Sequence, residues 1–391
     1  MVIAVEILLL SVLVYLGLGV FYWFLFSFFS LFHKDKHFEQ ATVKSNIGVL
    51  IPGYKEDAVI LETAKSALDQ QYPTASFDVI VIADSFSSEV LSKLRDLEIV
   101  VWEVSFEQSS KARSINAFLR ENDKKYDFLI VLDADNIMAD GVLQTMNNAY
   151  RSGAKSIHCH RVAKNEDTQT SLLDGLADEI NNSIWRKGHS AIGLSCAVGG
   201  SGMAIDYGIF KDSMSEIDVF SGFDKELEVQ LLLRGVKTIY IDNAIIFDEK
   251  VRKSKALRKQ RARWFASQLN VARKYYSLGL NKMLKEGNFE LFNKTFQFIL
   301  LPRAFTFTLL ILLTVLSRGI GNQLAFEFGA IETGVFILSM LTSTPRTYFN
   351  FSTLKALTQL PSVLLALIGS LFHLREAKTK FLNTEHEGNE S

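Results

Sequence analysis

The chain has 391 residues, 48% hydrophobic and 22% charged, a globular average that excludes disorder as its main state. Lys plus Arg number 42 against 43 Asp plus Glu, and the net charge of -1 excludes a dedicated nucleic-acid binder. Mean hydropathy is nevertheless +0.14, so apolar residues are concentrated in places, and the two cysteines, Cys159 and Cys196, make no disulfide framework and fit a reducing compartment.

The first concentration is N-terminal. From Ile7 to Phe32 no charge occurs. As helix, a run of about 26 residues spans roughly 39 Å, enough to cross a ~30 Å hydrocarbon core. It is too long for the apolar part of a signal peptide and no small-x-small site comes after it, so residues 1–33 are expected to be a retained transmembrane anchor. Lys34 and Lys36 come next, while the residues before the run carry no Lys or Arg. The positive-inside rule then places the chain beyond Phe32 in the cytoplasm.

Between Ser45 and Tyr276 the pattern changes. Apolar runs at Ile47–Ile51, Val79–Ala83, Ile99–Val104 and Phe128–Leu132 alternate with helix-like segments at Asp57–Gln70, Ser88–Leu97 and Ser110–Glu121. That alternation predicts an α/β domain over residues 45–276, a parallel sheet with helices on both faces. Ligands bind such sheets at the carboxyl ends of the strands. There stand Pro52-Gly53-Tyr54-Lys55-Glu56, then Asp84, then Asp133-Ala134-Asp135. Asp133 and Asp135, one residue apart where a strand enters a loop, can aim at one hard cation, Mg2+ or Mn2+, which would bridge a diphosphate.

Further along, His158 and His160 flank Cys159 on a strand-like piece without a third ligand nearby, and are expected to be ordinary strand residues. Gly199–Gly202 lacks the Lys and the spacing of a P-loop. A close backbone approach of Gly200, Ser201 and Gly202 to sugar or acceptor is the better account. The stretch GFDKELEVQLLLRG reads as a helix starting near Asp224. From Lys250 to Arg263 there are eight Lys or Arg in fourteen residues. Arg252, Lys253 and Lys255 are expected to be solvated or to face an anionic leaflet. Gln260, Arg263 and Trp264 share one helical face, where the Arg can bind diphosphate oxygens and the Trp can pack on a sugar ring.

At the C-terminal end, Ala304–Ser317 and Leu324–Thr344 are apolar enough for two transmembrane helices within residues 296–344, with Glu332 expected to face protein rather than lipid. Leu360–Phe372 is too short to span. Residues 357–374 are expected to form an amphipathic helix on the cytoplasmic surface, with a cytoplasmic tail, 375–391, after it.

Taken in order, these pieces resemble the inverting glycosyltransferases of family 2, in the membrane-bound branch that holds cellulose, hyaluronan and poly-N-acetylglucosamine synthases and ceramide glucosyltransferases. The carriers are Ile51-Pro52-Gly53-Tyr54-Lys55-Glu56, Asp84, Lys111 with Asn116, Asp133-Ala134-Asp135, Gly200-Ser201-Gly202-Met203, Asp224, and Gln260-Arg261-Ala262-Arg263-Trp264, over residues 45–275. Phe223 precedes Asp224 where the family has Glu. The resemblance implies a Rossmann-like GT-A domain binding a nucleotide-diphosphate sugar, expected to be UDP-linked. Pro52, Tyr54, Glu56, Asp84, Lys111, Asp133, Gln260, Arg263 and Trp264 would bind the donor, Asp133 and Asp135 the metal, and Asp224 would be the base. The acceptor would be a lipid or glycan at the cytoplasmic leaflet. A processive polysaccharide synthase is the competing expectation; three spans are few for a polymer channel, which implies a lipid-linked acceptor, a dimer or an export partner. An inactive nucleotide-binding scaffold is a third.

Overall fold

The computed structural model describes residues 2–358. Helix α1 (Val2–Ser30) leads through an irregular segment into eight strands. These are β1 (Ile47–Tyr54), β2 (Phe77–Asp84), β3 (Val100–Val104), β4 (Phe128–Val131), β5 (Ile137–Met138), β6 (Ser156–Ala163), β7 (Met203–Asp206) and β8 (Thr238–Asp248). Among them lie α2 (Ile60–Leu68), α3 (Ser88–Arg95), α4 (Lys111–Glu121), α5 (Val142–Arg151), α6 (Gln169–Asn181), α7 (Gly188–Ala191), α8 (Tyr207–Ser215) and α9 (Phe223–Leu233). The chain continues through α10 (Ser254–Glu286), α11 (Phe289–Ile299), α12 (Arg303–Gly319), α13 (Gln323–Ser343) and α14 (Phe351–Leu357).

All strands join one sheet in the order β3-β2-β1-β4-β7-β6-β8-β5. Side chains alternate across it. Ile47, Val49 and Ile51 pack with α2, α3 and α5 on one face, whereas Leu50, Ile80 and Ile82 pack with α4, α8 and α9 on the other. The two-faced packing expected from the apolar runs is therefore present. The parallel arrangement is not complete. β1 to β4 run parallel, but β7 is antiparallel to both β4 and β6, so the sheet is mixed. The turn into β7 is made at Gly202, whose φ of +71° suits glycine. Its N–H donates to Val131 and its carbonyl accepts from Cys159, which inserts β7 between β4 and β6 in the reverse sense.

α10 runs unbroken through Tyr276, and α11 folds back onto α9 and α10 around Val229, Val271, Tyr275, Leu291 and Phe298. Two described helices are long and apolar enough to cross a membrane, Glu6–Ser30 and Gln323–Ser343. α12 has 17 residues and reaches that length only when counted with α11, from which it is bent by 62°. Pro302 sits at the bend, and the Gln268 side chain donates to the carbonyls of Phe298 and Leu300 there. α1 packs along α13: Trp23 meets Phe336 edge-on, and Glu332, 6% exposed, is pressed against Gly17. Glu332 thus faces protein, as the cost of a lipid-facing carboxylate demands. Residues 359–374 of the expected surface helix, and the tail 375–391, lie outside the described residues.

Candidate active site

β1 and β2 end side by side, Tyr54 opposite Asp84. The next residues, Lys55 and Ser85, hold positive φ values of 56° and 59°, a conformation that costs a residue with a side chain on the order of 1 kcal/mol. It is held by the Lys55 N–H donating to the Asp84 carbonyl and by the Ser85 hydroxyl donating to Asp84 Oδ1. Asp84 is fully buried, and its Oδ2 has no hydrogen-bond partner among the described residues. Gly53 is close to its neighbours: a Cβ there would come within 2.7 Å of the Phe86 ring.

Asp133 and Asp135 come after β4, and the two-residue β5 then turns the chain back against the end of β8, Ile137 opposite Phe247. This register brings Asp248, the last residue of β8, to the pair. Carboxylate oxygens of Asp133, Asp135 and Asp248 all lie within 4.8 Å of one another. Three hard oxygen donors so placed fit Mg2+ or Mn2+. Asp248 has the same cue as Asp84 and Asp133, an Asp closing an apolar run, but only the sheet register joins it to acids so distant in the chain.

Cations surround this cluster. Lys111 pairs with Asp133 and donates to the Gly200 carbonyl at 2.7 Å. The lysine is therefore a brace for the acidic loop rather than a solvated side chain. Arg161 meets Asp248 at 2.7 Å, and Lys250 meets Asp248 at 2.6 Å and also pairs with Asp178. Lys250 is 2% exposed, unlike Lys253 and Lys255 of the same basic run, which are exposed as expected. Arg252 likewise pairs with Asp167 and Glu249. Burial opposes the charge of Asp133, yet Lys111 and Arg161 hold its carboxyl below the ordinary range. Burial likewise opposes Asp248, and Arg161 and Lys250 hold it down.

Ser201 is fully buried. Its hydroxyl accepts from the Asp133 N–H at 2.9 Å and donates to Asn136. It fixes the acidic loop from behind, and Gly202 makes the turn into β7, so of these three expected contacts only Gly200 lines the cleft. Asn116 is also structural, its amide donating to the Ile217 carbonyl. His158 and His160 are strand residues as expected, the latter held between Glu179 and Asp242.

Asp224 is the second residue of α9, whose N-cap is Gly222 at φ +77°. Asp224 is therefore not the helix cap. A Cβ at Gly222 would lie 2.6 Å from that of Ser267 on α10, so the start of α9 is seated against the helix that carries Gln260, Arg263 and Trp264. Glu226 is engaged elsewhere, accepting from Lys274 at 2.7 Å and Tyr275 at 2.6 Å. Burial lowers the Arg263 guanidinium from its ordinary range, with Asp133 and Asp224 acting against that. Arg261 stacks over the Trp264 ring at 4.6 Å and pairs with Asp174 on α6.

Pro52, Tyr54, Glu56, Lys111, Asp133, Asp135, Asp224, Gln260, Arg263 and Trp264 all line a single cleft of about 2050 Å³, and Asp248 joins them. Asp84 lies behind it. From the carboxylates the cleft continues past α6 to an apolar end walled by Ile311 and Val315 of α12, Ile337 and Leu341 of α13, and Phe351 and Leu354 of α14. All six are exposed.

A mannosyltransferase from Pyrobaculum calidifontis, solved with GDP-mannose and Mn2+, superposes with a TM-score of 0.57 at 15% identity, covering 95% of this chain and 99% of that one. TarS residues 1–349 from S. aureus give a TM-score of 0.42 and 14% identity, over 85% and 90% of the two chains. GalNAc-T7 with UDP, GalNAc and Mn2+ gives 0.40 and 10% identity over 53% and 44%. Among curated protein sequences none matches this chain significantly. The sequence model described as glycosyltransferase-like family 2 matches residues 45–267. That match spans more than half of the chain, and the protein belongs to glycosyltransferase family 2, with a GT-A-like α/β fold.

Proposed function

We propose that the protein is an integral-membrane, inverting, metal-dependent glycosyltransferase that moves a sugar from a nucleoside diphosphate to an acceptor carried by a lipid at the cytoplasmic leaflet. One observation carries the reading: the cleft that holds the acidic cluster and Asp224 is continuous with an apolar end formed by α12, α13 and α14. A soluble acceptor has no use for such walls. A hydrocarbon chain does, at roughly 25 cal/mol for each Å² it buries.

The donor would lie across the carboxyl ends of β1, β2 and β4. Glu56 offers acceptors for N–H and O–H groups of a nucleoside from the cleft wall, whereas Asp84, behind it, holds the Lys55 backbone that leads to Glu56. Asp133, Asp135 and Asp248 would hold Mg2+ or Mn2+, which when bound would supply positive charge to neutralise a diphosphate leaving group. Arg263 adds a fixed cation inside the same cleft. Inversion requires a base on the face of the sugar opposite the departing nucleotide. Asp224 is suited to that work, since its carboxylate is not the helix cap and its ion pair with Lys225 is long, at 3.8 Å. The nucleotide is expected to be UDP; the mannosyltransferase solved with GDP-mannose makes GDP the first alternative to try. Cytoplasmic orientation rests on Lys34 and Lys36 after α1.

The test is a donor panel. Full-length protein in lipid nanodiscs, with Mn2+, is offered UDP- and GDP-sugars, and release of nucleoside diphosphate is measured with and without added membrane lipid extract. Release stimulated by the extract supports the reading. Release into a water-soluble polymer without extract would favour a processive synthase instead.

A further inference from the structure

We propose that the lipid acceptor is anionic, and that Arg303 receives its headgroup phosphate at the waist of the cleft. The proposal rests on the lipid-acceptor reading and names the chemistry of the headgroup. Arg303 opens α12, at the point where the polar half of the cleft meets its apolar end, and it lines that cleft. Its Nη2 donates to Asn181 at 2.9 Å and to the Ala177 carbonyl at 3.3 Å, both on α6. Its Nη1 is buried and has no hydrogen-bond partner among the described residues. Among the described residues no carboxylate lies within ion-pairing distance of it: Asp174 pairs with Arg261 and Asp178 with Lys250.

An unpaired buried guanidinium is costly and calls for an anion. The diphosphate of the donor is an unsuitable one. Its counter-charges are at the sheet end, in Lys111, Arg263 and the metal cluster, whereas Arg303 belongs to the membrane-side helix. Beyond Arg303 on the same helix, Phe305, Phe307 and Ile311 line the cleft. An ionic head with hydrocarbon behind it is the chemistry that such an order of groups accepts. The geometry also adds the unsatisfied N–H groups of the first turn of α12, after Pro302, to the same side of the site.

The experiment compares two amphiphiles with the same acyl chains, phosphatidate and diacylglycerol, each as a fluorescent trace in phosphatidylcholine nanodiscs holding the full-length protein. Wild type is expected to bind phosphatidate at least tenfold tighter, and Arg303→Gln to lose most of that preference, since a hydrogen bond to a charged group is worth about 1.5–3 kcal/mol. Arg303→Lys should recover part of it. Lys255→Gln, on the exposed basic surface, should leave it unchanged. Donor binding measured on the same samples should be equal in all variants, which shows that they are folded. Equal binding of the two amphiphiles by wild type overturns the anionic headgroup and leaves the lipid reading standing. Failure of both to bind overturns the lipid reading itself. Competition by inorganic phosphate as strong as by phosphatidate would make this a free-phosphate site and overturn the proposal, as would unchanged preference in Arg303→Gln.

Discussion

Asp224→Asn separates chemistry from folding in this protein. Gly222 caps α9, so the substitution removes no capping hydrogen bond. The fold loses a first-turn negative charge, worth ~0.3–1 kcal/mol at a helix N-terminus. It also loses a loose ion pair with Lys225, 3.8 Å apart and with both side chains 20% exposed, which contributes at most about 1 kcal/mol. Against a typical stability of about 5–15 kcal/mol the variant stays folded. Asn keeps the shape of the side chain but accepts no proton. Transfer should fall by roughly 10²–10⁴, about 3–5 kcal/mol of activation free energy. Donor affinity should hold within about threefold, because the nucleoside and metal groups are elsewhere in the cleft. The assay is the transfer rate at saturating donor and acceptor, with donor affinity measured by equilibrium titration and folding by thermal melting. Near wild-type transfer by a folded variant would refute the assignment of Asp224 as base. Glu226 would not inherit the role, since Lys274 and Tyr275 hold its carboxylate on the side facing α10.

Other substitutions separate the parts of the site. Asp135→Asn should abolish Mn2+-stimulated turnover, and Asp248→Asn should cost about 3–5 kcal/mol of stability by leaving Arg161 and Lys250 short of a buried partner; Mn2+-stimulated turnover by the first or wild-type melting of the second would contradict this. Gly222→Ala meets a left-handed φ and the Ser267 side chain together, and should destabilise the protein by about 1–3 kcal/mol while lowering transfer more than donor binding. For pH, Glu179 and Asp242 overcome burial and raise His160 to about 9. A raised pKa stabilises the fold fully below about 6.5 and loses that contribution as pH climbs through about 9, on the order of 3 kcal/mol in all. Melting temperature should therefore decline between those values, and His160→Gln should flatten the decline; an unchanged slope would refute the assignment. In the turn between α12 and α13, Gly321→Cys should react with a membrane-impermeant reagent from outside intact cells, and Lys55→Cys should not; labelling of both would contradict the topology.

Much of this was legible in the sequence where the physics is local. The first four strands are largely apolar runs closed by polar residues, and each formed within a few residues of its expected place. Gln260, Arg263 and Trp264 share a wall because helical spacing puts them there. What was hidden depends on pairing between distant segments. Asp248 closes an apolar run as Asp84 and Asp133 do, but it reaches Asp133 only through the β5–β8 register, which no local pattern announces. Lys250 resembles its basic neighbours in sequence but is buried because Asp178 and Asp248 converge on it. Ser201 reads as a ligand contact in a glycine-rich loop, yet the reversed β7 turns its hydroxyl to the back of the acidic loop. Local periodicity fixes which residues end a strand, but the partner across the sheet decides what those residues do.

The most direct measurement of the central claim is where the sugar goes. Full-length protein in nanodiscs containing a membrane lipid extract is given Mn2+ and a radiolabelled nucleotide sugar that it turns over, and the products are partitioned between organic and aqueous phases. The account predicts label in the organic phase, on an amphiphile, formed by wild type and reduced at least ~100-fold in Asp224→Asn. Label found only in the aqueous phase, as free sugar or polymer, would contradict it.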